Sequence, residues 1–125
     1  MTKTVNVTAA ANGAFTYSGD GGTTGDIEID GADTINFVLQ NTDDYSWDPG
    51  TGSGQGNSAF WVTPNPGNPK TFTWSVSGAT LAVQDNDSDG TPGGASHTYT
   101  LYVVDTEDNQ IPSEPQIVNK KRGGG

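Results

Sequence analysis

The stretch Thr71-Phe72-Thr73-Trp74-Ser75-Val76-Ser77-Gly78 decides the fold. Phe72, Trp74 and Val76 fall on one face of an extended chain, and Thr71, Thr73, Ser75 and Ser77 on the other. A period of two predicts a strand with one dry and one wet face. Such a strand cannot bury its dry face alone, so the rest of the chain must supply a second layer.

Working outward, the same pattern recurs. Ile35, Phe37 and Leu39 alternate within Asp33–Gln40, Leu81 and Val83 within Ala79–Gln84, and Phe60 and Val62 within Ala59–Val62. Val5 and Val7 predict a first, edge strand over Thr4–Ala9. Phe15 and Tyr17 follow the turn at Asn12-Gly13, and Ile27 and Ile29 precede the turn at Asp30-Gly31. His97–Asp105 becomes apolar on both faces, the mark of a strand covered on both sides. Gln116–Asn119 is a last short strand.

Asn41–Ser58 shows no periodicity and reads as a long irregular region, which is either functional or mobile. Pro64, Pro66 and Pro69 exclude a central strand over 64–69, and Thr106–Pro115 reads as a turn. The expectation is an all-β chain: an immunoglobulin-like antiparallel β-sandwich of about eight or nine strands. Residues 1–119 form one domain on this reading, and residues 120–125 a basic, glycine-ended tail.

Composition agrees. Apolar residues make up 30 % of 125 and glycine accounts for 18, while the good helix formers are sparse. A chain of this length buries roughly two-thirds of its unfolded surface, enough for a real core. With no cysteine, disulfides and thiolate metal sites are excluded. The net charge of −10 repels phosphate backbones and anionic membranes, which argues against nucleic-acid or membrane partners. No apolar leader is visible at Met1-Thr-Lys-Thr, so the default compartment is the cytoplasm, with an extracellular location left open.

Two candidate sites stand out. In Asp85-Asn-Asp87-Ser-Asp89-Gly90 three carboxylates alternate through a tight loop, and calcium favours such an oxygen cage at about 2.3–2.6 Å. The twelfth position from Asp85 is Ser96, where an EF-hand carries its bidentate glutamate, and the flanks read as strands. A solvated turn explains the same residues, since Asp and Asn favour turns. In the long irregular region Tyr45 and Trp47 lie beside Asp48, a pairing of aromatic faces and carboxylate suited to a sugar ring. The aromatics serve equally as a plug folded into the sandwich; Trp61 and Trp74 read as core residues.

Nothing resembles a catalytic constellation. His97 is the only histidine, no Gly-x-Ser-x-Gly elbow accompanies it, and the Gly/Ser run at 50–56 lacks the Gly-Lys-Ser/Thr of a phosphate loop.

Asp48-Pro49 after the Ile35 strand and Glu114-Pro115 before Gln116-Ile-Val-Asn119 bracket the Tyr99–Asp105 strand. This placement resembles the uncharacterised bacterial DP-EP family of small β-proteins, over about Val5–Asn119. The resemblance implies a small β-domain and supplies no catalytic residues. Physically, each proline fixes its own φ and biases the preceding acid toward extended geometry, so both dipeptides also suit structural corners.

The chain is therefore expected to be a non-catalytic structural or self-assembling protein, forming homo-oligomers or filaments. The alternative is a calcium-dependent carbohydrate-binding module using Asp85, Asp87 and Asp89 with Tyr45, Trp47 and Asp48. Its partner would be itself in the first case and a glycan in the second.

Overall fold

A computed structural model describes residues 2–20, 22–30, 33–50, 56–65, 70–86 and 95–121. Among them there is no helix, and eleven strands fall into two sheets that pack as a sandwich.

The first sheet has the order β2 (Thr16–Gly19), β1 (Thr2–Thr8), β4 (Asp33–Leu39), β8 (Thr80–Asp85), β7 (Phe72–Ser77). The second is built on β9 (Ala95–Asp105). One side of β9 pairs with β6 (Phe60–Thr63) and β5 (Tyr45–Trp47); the other pairs with β11 (Gln116–Lys121) and β10 (Gln110–Pro112). β3 (Ile27–Asp30) adds to the far side of β11.

The alternating residues do what their spacing dictates. Ile35, Phe37 and Leu39 of β4, Leu81 and Val83 of β8, and Phe60 and Val62 of β6 are all buried between the layers. β9 is covered on both faces from Tyr99 to Val103, as its doubly apolar sequence requires. A two-residue turn joins β7 to β8, with Gly78 at φ +60° in its first central position. That geometry suits a type II′ turn, which favours glycine there.

Several expectations change. β5 and β10 raise the strand count from nine to eleven; each is three residues long, too short to show a period. The sandwich is mixed rather than antiparallel. β1 runs parallel to β4, and β3 parallel to β11, because the chain crosses between the sheets from β2 to β3 and back to β4. β1 is interior rather than an edge, since β2 and β4 flank it and Val5 and Val7 are fully buried. β11 runs on to Lys121, into the segment expected to be a tail. Thr71, expected on the wet face, is buried.

The organising stretch forms the outer strand β7, and its dry face opens along its length. Phe72 is buried, Trp74 half-buried, and Val76 40 % exposed. Alternation names the face a side chain takes and not what lies over it.

Asp105 closes the turn between β9 and β10. Its Oδ1 accepts the backbone N–H of Asn109 (2.9 Å) and of Glu107 (2.8 Å), and its Oδ2 accepts the Asn109 side-chain amide (3.2 Å). The Asn109 backbone bond, followed by those from Glu107 and the Asn109 side chain, holds the carboxyl below its ordinary value. A carboxyl depressed in the folded state stabilises above the ordinary carboxylate range, and that contribution is lost as pH falls through it. Asp105→Asn should therefore lower the melting temperature at neutral pH and change it little at strongly acidic pH, which flattens the acid limb of a thermal-stability profile; an unchanged acid limb would contradict this.

Candidate functional site

Asp85 ends β8 and is buried, opposite Asp33 of β4 on one side and Phe72 of β7 on the other. Asp87 and Asp89 lie outside the described residues. Among the described residues no group of three or more His or acidic side chains is placed to hold a metal ion.

Tyr45 and Trp47 share the inward face of β5. Trp47 is 2 % exposed, and its Nε1 donates to the carbonyl of Ala79 (2.7 Å) in the β7–β8 turn. Its indole thus plugs the sandwich and leaves no open face for a sugar ring, because strand alternation aims it at the core. Tyr45 is half-buried against the same core. Asp48 makes a corner: Oδ1 accepts the Gly50 N–H (2.9 Å) and Oδ2 the Gln110 side-chain amide (2.6 Å). The other acid–proline dipeptide also sits at a corner, between β10 and β11, where the Glu114 N–H donates to Gly13 (3.0 Å). His97 is buried, with Nδ1 2.7 Å from the Pro64 carbonyl oxygen and its ring edge-on to Phe72.

The feature that sequence reading missed lies where the outer strands β6 and β7 of the two sheets face each other. A groove of about 850 Å³ runs between them, walled by Phe72, Trp74 and Val76 from β7, Trp61 from β6, and Pro49. Trp61 and Trp74, expected in the core, are half-buried at its sides. Among the described residues the only charged side chain on its lining is Lys70, in a chain of net charge −10.

Most polar side chains at the groove are already committed. Trp74 Nε1 donates to Ser58 Oγ (2.8 Å), which in turn donates to the Phe60 carbonyl (3.1 Å). The Asn65 amide accepts the Phe72 N–H (2.8 Å) and donates to the Phe72 carbonyl (3.1 Å). Asn65 thereby imitates one residue of a neighbouring strand.

That contact also fixes direction. Both main-chain groups of Phe72 point away from β8, and alternate residues of a strand point the same way. The N–H and C=O of Trp74 and Val76 therefore face outward along the edge of β7. Among the described residues none bonds them. β7 carries no charge, no proline and no bulge, the usual protections of an edge. What the groove offers is a strip of main-chain donors and acceptors beside an apolar, aromatic trough.

No protein-family model matches the chain, and no curated protein matches it.

Asn65→Ala should lower stability by about 1–2 kcal/mol, the worth of two net hydrogen bonds. Urea unfolding reads it, together with faster amide exchange at Phe72. A variant as stable as the parent, with Phe72 still protected, would show that Asn65 does not close the edge.

Proposed function

We propose that this is a non-catalytic structural module that works by assembly, accepting an extended strand along the edge of β7. The observation that carries this reading is the outward-facing peptide groups of Trp74 and Val76 beside the apolar groove. Strand addition draws its affinity from main-chain hydrogen bonds and its selectivity from alternate side chains entering a trough. A sugar would need polar side chains aimed at its hydroxyls, and Asn65 and Ser58 are already engaged. The outward main-chain groups of β7 are spaced for a peptide. The DP-EP resemblance, carried by Asp48-Pro49 and Glu114-Pro115, agrees with a small β-domain without catalytic residues.

The probe is a peptide of residues 71–78 with lysines added outside for solubility. Titrated into isotope-labelled protein, it should shift and protect the Trp74 and Val76 amides selectively. Shifts elsewhere, or none up to millimolar peptide, would overturn the reading.

One observation favours a second reading, the calcium-dependent carbohydrate-binding module. Asp33 and Asp85 are both buried and directly opposite in the β4–β8 ladder. Two neighbouring buried carboxyls supply hard oxygen donors of the kind calcium prefers. On this reading calcium raises the melting temperature, EDTA reverses it, and a glycan array then gives calcium-dependent signal. No calorimetric heat with calcium and a blank array would remove it.

A further inference from the structure

The edge of β7 has a property that decides what it pairs with: it is its own complement. Two outward peptides, at Trp74 and Val76, lie two residues apart with Ser75 between them. In an antiparallel ladder, mutually bonded pairs recur every second residue. Resting on the reading of β7 as a strand-accepting edge, we propose that the strand it accepts is β7 of a second copy. A two-fold axis passes at Ser75, and the two five-stranded sheets become one of ten.

In this arrangement Trp74 exchanges both main-chain hydrogen bonds with the partner's Val76, and Val76 does the same with the partner's Trp74. Residues opposite one another in a ladder share a face. The half-buried Trp74 therefore meets the partner's Val76 over the groove, and the exposed isopropyl of Val76 gains cover. On the outer face Thr73, Ser75 and Ser77 present small uncharged side chains across the junction. An interface in which each patch pairs with itself closes as a two-fold dimer.

Charge favours a second copy over an arbitrary partner. Two chains of net charge −10 repel over most of their surfaces, and a common way in is a face without carboxylates. The groove lining is such a face, with Lys70 its only charge among the described residues. Residue 70 is followed by Thr71–Gly78, which is also uncharged. The contact is short because Asn65 occupies the edge at Phe72. Four hydrogen bonds and a small apolar overlap make a weak dimer, with Kd on the order of 0.1 mM.

Sedimentation equilibrium of the full chain, from micromolar to millimolar, tests this. The average mass should rise toward twice the monomer. Val76→Pro removes one outward N–H from an edge strand and leaves the β7–β8 bonds intact; it should weaken association at least about tenfold. Val76→Glu, which keeps every backbone group and sets two carboxylates near the axis, should do the same and serves if the proline variant fails to fold. Ile117→Glu alters the other exposed large apolar side chain among the described residues and should leave association unchanged. A monomer at every concentration overturns the proposal, as does a dimer indifferent to both Val76 variants or one lost on Ile117→Glu. If the chain stays monomeric while the 71–78 peptide protects Trp74 and Val76, strand acceptance stands and the second copy falls. If neither occurs, both fall.

Discussion

The ring of Phe60 lies against four others: stacked on Tyr99 at 5.8 Å, and tilted against Phe37, Phe72 and Trp74 at 6.1, 6.5 and 5.1 Å. Phe60 and Tyr99 come from the second sheet, the other three from the first. This run of rings fills the space between the layers on the side where β6 and β7 face each other, each offset or tilted pair adding to the burial of its area. It ends at Trp74. Beyond that point no ring follows on β7, so Val76 stands at the lip of a groove. The contact that closes the sandwich thus also sets where it stays open.

An open edge is ordinarily a hazard, and sheets blunt it with charge, proline or a covering segment. β7 is treated unevenly. At Phe72 a single asparagine satisfies both main-chain groups, while one and two pairs further on nothing described does. Lys70 lies just before the strand. An edge blocked at one end and left bare at the other suits pairing of limited length, which gives register without runaway stacking. In this account function follows from main-chain geometry, and the side chains of the trough select what fits.

Much of the architecture was legible in the sequence. Where apolar residues alternate over four or more positions, as in Ile35-Asn-Phe37-Val-Leu39, the strand and its buried face both follow. The three-residue strands β5 and β10 carry no period and exist because β9 offers them an edge. The parallel pairings of β1 with β4 and β3 with β11 depend on the order in which the chain visits the two sheets, which local pattern does not encode. The acidic loop and the aromatic cluster drew attention by composition; Trp47 proved to be a plug because its parity on β5 turns it inward. The groove is hidden in the sequence for the converse reason. Trp61 and Trp74 look like core residues in isolation, and only the meeting of two outer strands leaves them partly uncovered. Asn65 gave no signal at all, since its role requires knowing that Phe72 lies on an edge.

The central claim is that the peptide groups of Trp74 and Val76 face outward from β7 and are open. Residue-resolved amide hydrogen exchange on dilute protein measures this directly. The account predicts alternation along one strand, with fast exchange at Trp74 and Val76 and slow exchange at Thr73 and Ser75. Uniform protection from Thr73 to Val76, or the opposite alternation, would contradict it.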